Sequence, residues 1–373
     1  MLAAGLLSAT SPRILSALPY APAAAPTVPS LRDAAAAVGL AYGSDSDVWF
    51  RDAPSAWRDL LLSQCALYAP ILSWQELAPD PTHEDDRRDL NVPIVLKAGL
   101  KLTGAHLLWY RRTPPWLETL SRDQAQQAVA AHIQRLAGLY RGQCFSWNVV
   151  NEAIEPRQNG PNGLRTDSPL VRALGPDFFA PAFHEARAAD PAALLLYNEY
   201  DLELDTPDHE ARRTALFHLL DSLQSAQTPI DGVGLQSHLS FARFDRFNDK
   251  VYRRFLHDLA ARGLRIVISE LDVEDRGSSP EPQARDRQIA DVYERFLSVA
   301  LDEQAVVALV TWGLSDAYSW YNGKYFPEFG RPDHLPQRPL LFDADLQPKP
   351  AFYAVLKALQ NAPRRTKAPH ART

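Results

Sequence analysis

Apolar residues along this chain fall into short runs at two different spacings. Strand-length runs rich in Val, Leu, Ile and aromatics occupy 38–43 ("VGLAYG"), 67–72 ("LYAPIL"), 102–109 ("LTGAHLLW") and 144–150 ("CFSWNVV"). Four more follow at 193–198 ("ALLLYN"), 232–238 ("GVGLQSH"), 265–270 ("RIVISE") and 305–312 ("AVVALVTW"). Several are apolar at successive positions, the pattern of strands in a parallel sheet covered on both faces. Between them lie helical stretches at 121–140, where Ser121 can cap the first turn, and at 208–226, 250–262 and 284–300. Eight β/α repeats with no linker inside 31–360 predict a single-domain (β/α)8 TIM barrel.

In such a barrel the chemistry lies at the C-terminal ends of the strands. Here those ends carry Asn151-Glu152, Asn198-Glu199-Tyr200, Gln236-Ser237-His238, Glu270 followed by Asp272, and Trp312. Two strand ends with glutamate are common by chance. Two glutamates with His, Gln, Asn and Trp at neighbouring ends are much rarer, and they point to carboxylate chemistry at one rim.

Composition narrows the partners. The chain has 373 residues, 46% hydrophobic and 23% charged, an ordinary globular balance with enough core to need no disulfide or metal. A net charge of −6 with interspersed signs argues against nucleic acid, which calls for a basic face. Cys65 and Cys144 have no CxxC or Cys/His neighbour, so two buried thiols are the favoured reading, a single disulfide stays open, and no metal or cofactor is expected. Residues 1–30 are apolar and then Ala/Pro-rich, an export signal or a flexible arm, although the first Arg is Arg13. No other run reaches the length of a membrane span. The tail 361–373 is basic and contains Pro, and is expected to be disordered.

The strand ends, taken in order, resemble glycoside hydrolase family 10, the retaining endo-β-1,4-xylanases. "WNVVNEA" is similar to that family's "WDVVNEA", "ISELDV" to "TELD", "GVGLQSHL" to "GIGLQGHL", "LYNEYDLE" to "INDYNLE" and "TWGLSDAYSW" to "TFWGVSDKYSW". "RPLLFDADLQPKPAFYAV" resembles the closing "PLLFDxxxxPKPAY". The likeness runs from about 38 to 358 in family order. It implies that Glu152 is the acid/base and Glu270 the nucleophile of a retaining mechanism. His238 would bond Glu270 with Asp272 behind it, Asn151 would hold a sugar 2-hydroxyl, and Gln236 would sit between the glutamates. Trp109, Trp312, Trp320 and Trp74 would meet sugar rings, and Asn198 and Tyr200 would shape the site. Core packing at the rim remains open for Trp320. Asp316 and Arg165 fall in similar motifs and are expected to be structural.

Two strands depart from the pattern. Where the family has "ENxMKW", this chain has "APILSW", so Ala69, Pro70 and Ser73 replace Glu, Asn and Lys, and only Trp74 is kept. Where the family has "GHTLVWH", it has "GAHLLWY", with Ala105 and Tyr110 in place of the two histidines. His106 is one position off, which strict alternation turns to the opposite face. The expected enzyme is a secreted or periplasmic, monomeric retaining endo-glycanase acting on a polysaccharide, xylan by resemblance. Two alternatives are a hydrolase of a different or substituted β-linked polymer, and a non-catalytic polysaccharide-binding barrel.

Overall fold

The structure is a computed structural model. It describes residues 28–45, 54–82, 89, 91–323 and 327–366, so the segment 1–27 and the end of the tail lie outside the described residues. Ten strands form one parallel sheet system: β1 Ala41–Asp45, β2 Leu67–Ala69, β3 Lys101–Leu102, β4 Ala105–Trp109, β5 Ser146–Asn151, β6 Leu194–Glu199, β7 Gly232–Leu235, β8 His238–Ser240, β9 Arg265–Glu274 and β10 Val306–Thr311. The neighbour order is β3-β2-β1-β10-β9-β7-β6-β5-β4, with β8 paired to β9. The circuit closes through β3 and β4, which form one interrupted third strand. Leu102 bridges β2 on one side and Cys144, just before β5, on the other. Eight barrel positions result, as the repeat count predicts.

The third strand breaks at Thr103-Gly104, where Gly104 takes φ 65°, a conformation easy only for glycine. The run 232–238 also breaks, at Ser237 with φ 60°. The helices expected from periodicity appear as Arg122–Leu139, Pro207–Ser225, Asp249–Ala261 and Pro282–Ala300. Ser121 caps the first of these reciprocally with Gln124. Strand faces toward the helices are largely apolar, with Tyr197, Leu195, Val233, Ile266, Ile268 and Leu309 all at 0% exposure. Burial at roughly 25 cal/mol per Å² of apolar area makes this interlayer packing the main stabilising force.

Cys65 and Cys144 are both buried and free. Among the described residues no helix is long and apolar enough to cross a membrane. The expected disorder from 361 onward does not hold for 361–366. Asn361 ends the last helix, and the Arg365 guanidinium donates to the carbonyls of Leu301 and Val306 at 2.9 Å each, a set of buried acceptors that fixes the chain there.

Candidate active site

Glu152 leaves the end of β5 with φ 56°, a left-handed conformation that is uncommon for a residue with a Cβ. Both of its backbone groups are held: its N–H donates to the Asn198 carbonyl at 3.0 Å, and its carbonyl accepts from Arg165 Nε at 3.0 Å. Its carboxylate accepts from three neutral donors. These are Asn151 Nδ2 at 3.1 Å, Gln236 Nε2 at 3.0 Å and Trp109 Nε1 at 2.9 Å.

Glu270 on β9 has different company. Asn198 Nδ2 donates to it at 2.7 Å, and His238 Nε2 lies 3.2 Å from its other oxygen. His238 Nδ1 lies 2.9 Å from Asp272, which also accepts from Trp320 Nε1 at 2.7 Å and Tyr321 Oη at 3.0 Å. Burial alone would raise the Glu270 pKa, but the facing His106 and His238 imidazoles outweigh it and bring the value down to about 2. Burial likewise works against a charged His238, yet Asp272 and Glu270 hold its pKa well above the usual histidine range. An imidazolium donates from both nitrogens, which suits a ring placed between two carboxylates.

The two glutamates are joined by a chain of amides. Asn198 Nδ2 also donates to Asn151 Oδ1 at 2.8 Å, and Asn151 Nδ2 reaches Glu152. Ser269 Oγ donates to Asn198 Oδ1 at 2.7 Å and so fixes which way that amide points. Gln236 lies against both Asn151 and Glu152. The structure thus brings together Asn151, Glu152, Asn198, Gln236, His238, Glu270, Asp272, Trp109 and Trp320. Trp312 stands edge-on to His238, with ring centroids 6.0 Å apart. Tyr200 Oη accepts from Arg165 Nη2 at 3.0 Å, on the Glu152 side.

Two expectations need correction. Trp74 presents no face to a ligand: it is 4% exposed, stacked on His132 at 4.4 Å and edge-on to Trp116. His106 is not turned away, because its Nε2 lies 3.6 Å from a Glu270 oxygen. The third strand is interrupted just upstream at Thr103-Gly104, with Gly104 at φ 65°, so the faces of β4 do not follow from alternation counted along an unbroken strand.

Sequence reasoning did not single out Ser269 or Tyr321. Both act through a neighbour, and neither side chain carries a charge to draw notice. Arg165 and Asp316 are buried, as a structural role requires, Asp316 pairing with Lys349 at 2.9 Å. Among the described residues no three His, Cys, Asp or Glu side chains converge as metal ligands would.

The comparisons with known proteins agree with this geometry. The family model for glycosyl hydrolase family 10 matches residues 82–358. The chain is 28% identical to endo-1,4-beta-xylanase B of Thermotoga neapolitana over 292 residues, which cover 78% of each chain. It is 31% identical to endo-1,4-beta-xylanase 5 of Pyricularia oryzae over 294 residues, covering 78% of this chain and 68% of that one. Xylanase 10B of Thermotoga petrophila, solved with xylobiose, superposes with a TM-score of 0.77 at 25% identity, covering 89% of this chain and 97% of that one. The matched residues include both glutamates, the amides between them and the two imidazoles, and the chain belongs to glycosyl hydrolase family 10.

Proposed function

We propose that this enzyme is a retaining, endo-acting hydrolase of a xylan-type β-1,4-glycan, with Glu270 as nucleophile and Glu152 as acid/base. The observation that carries the assignment is the contrast between the two carboxylates. Glu270 faces two imidazoles and stays ionised far below neutrality, as a nucleophile must. The Glu152 carboxylate is bonded only by neutral amide and indole donors, an environment compatible with carrying a proton at one stage and releasing it at another.

In the first step a Glu270 oxygen attacks the anomeric carbon and the bond to the leaving oxygen breaks. Glu152 gives its proton to that oxygen. In the second step water attacks the same carbon, its proton passes to Glu152, and the ester to Glu270 breaks. Two inversions give net retention. Asn198 and Asn151 tie the carboxyl groups to one frame, so the reacting oxygens need little reorganisation. Measuring reducing ends from a panel of β-glycans, with the first product anomer observed by NMR, tests the reading. Activity on xylan with an initial β anomer supports it; an initial α anomer contradicts it.

One observation favours a second reading, a substituted or non-xylose unit beside the cleavage point. Ala69, Ser73 and Ala105 are short and buried where the resemblance calls for long polar groups. His106 offsets one of these losses by bringing an imidazole to Glu270 from the next position. Each remaining lost hydrogen bond weakens linear xylan by about 0.5–1.5 kcal/mol. A kcat/KM on linear xylo-oligosaccharides of roughly 10⁴ M⁻¹s⁻¹ or more would leave plain xylanase activity standing and remove this reading. The enzyme is taken to act as a single chain outside the cytoplasm, where polymer is met. Light scattering and fractionation of a producing culture check both points.

A further inference from the structure

We propose that Arg111, seated against Tyr110 at the Glu152 side of the site, forms a subsite for a carboxylate, so that the preferred polymer is a β-1,4-glycan bearing uronic acid groups. The inference rests on the glycanase reading above and names its substrate class. It begins from the turn Tyr110–Arg112, which follows β4 directly and so lies on the rim that carries the chemistry.

Tyr110 is fixed in place. The Arg165 guanidinium lies 3.9 Å from the centre of its ring, and Arg165 Nε is bonded to the Glu152 carbonyl. Arg111 Nε donates to Tyr110 Oη at 2.8 Å, which orients the guanidinium from the side opposite its free edge. Arg111 is exposed, and its Nη1 and Nη2 meet no carboxylate among the described residues. It lies within electrostatic reach of Glu152 and Tyr200. The other arginines nearby are engaged. Arg165 is buried with contacts to Glu155 and Asp167, and Arg112 makes a loose pair with Glu76 at 3.5 Å. Arg111 is therefore a planar two-pronged donor with its outer edge open, held by its inner nitrogen on the turn whose Tyr110 packs against the arginine that bonds the Glu152 carbonyl.

A guanidinium edge matches a carboxylate with two parallel hydrogen bonds, a geometry that lysine cannot copy. The protein carries a net charge of −6, so an acidic polymer is repelled at long range and gains only from a local cation. Arg111 is such a cation.

The test uses one polymer in two forms: a xylan carrying uronic acid groups, and the same xylan after its carboxyls have been reduced to alcohols. The inactive full-length Glu270→Ala protein should bind the acidic form about fivefold more tightly at low salt, the scale of one exposed ion pair. The preference should shrink toward one at 1 M salt, where the screening length is about 3 Å. Adding Arg111→Gln should bring the low-salt ratio toward one, and Arg111→Lys should restore it only in part. Equal binding of the two forms, or a ratio unchanged by Arg111→Gln, overturns the subsite. Turnover by the wild-type enzyme is followed separately. Failure to cleave either form counts against the glycanase reading, while the binding ratio still decides the subsite.

Discussion

Glu152 and Glu270 are the same residue type at similar strand ends, and the neighbours separate them. If Glu152 is the proton donor, its loss should matter most where the leaving group is poor. Glu152→Ala should lose about 10²- to 10⁴-fold in kcat on polysaccharide and far less on an activated aryl glycoside. Added azide should then speed deglycosylation and yield a β-glycosyl azide. Equal losses on both substrates would remove the role. For Glu270 the sign of the pH effect is fixed by a pKa lowered to about 2. Its charge, and the stability gained from its imidazole partners, are present above the ordinary carboxylate pKa and are lost as pH falls through about 2. Inactivation by a glycosyl fluoride analogue that needs no acid should therefore be flat from pH 7 down to about 4. His106→Ala should move the acid limb upward, since one of the two facing imidazoles is gone. An unmoved limb would show that His106 does not act on Glu270. The glutamates were legible because strand ends can be located from sequence. His106 was misread because alternation assumes an uninterrupted strand, and Trp74 because a motif match carries no information on which side of a ring is already covered.

At the scale of elements, the register of neighbouring strands decides which side chains meet. Gly234 on β7 shows how closely. A Cβ there would lie 2.0 Å from Asn198 Oδ1, and Asn198 is held by Ser269, Asn151 and Glu270. Gly234→Ala should push Asn198 off Glu270 and lower kcat by at least about tenfold, the scale of a 1.4 kcal/mol loss. Overpacking of this kind also costs about 1–3 kcal/mol of stability. Steady-state kinetics with a thermal melt separate the two effects, and wild-type kcat would mean that the Asn198 contact is dispensable. The longer helices were legible from their periodicity and caps. The interruptions were not: the third strand parts at Gly104 and the sixth run at Ser237, both by single residues at positive φ inside otherwise continuous apolar runs. The bulge between Asn148 and Val150 lies in the run "SWNVVN", where no glycine or proline marks it.

For the whole molecule, barrel closure ties the two chain ends of the domain together. Arg365 joins the exit of the last helix to the start of β10 through the Val306 carbonyl, and its backbone N–H donates to Val38 at 2.8 Å, just ahead of β1. Those contacts lie at the end of the barrel away from the catalytic rim. Arg365→Ala leaves buried carbonyls without a donor, at about 1–3 kcal/mol. It should lower Tm while leaving kcat/KM on xylan near wild type, and an unchanged Tm would show that the tail does not help to hold the barrel. The basic composition of the tail concealed this, since Arg365 is covered by surface that only the closed barrel creates. The number of β/α repeats was legible, because each repeat declares itself locally. The residue that becomes covalently bound to sugar decides between nucleophile and acid/base most directly. Incubation with a 2-fluoro xylobioside inactivator, followed by mass spectrometry of the digested protein, reads this out. One 2-fluoro glycosyl adduct on the peptide bearing Glu270, absent in Glu270→Ala, is the predicted result; an adduct at Glu152 or any other residue would contradict the account.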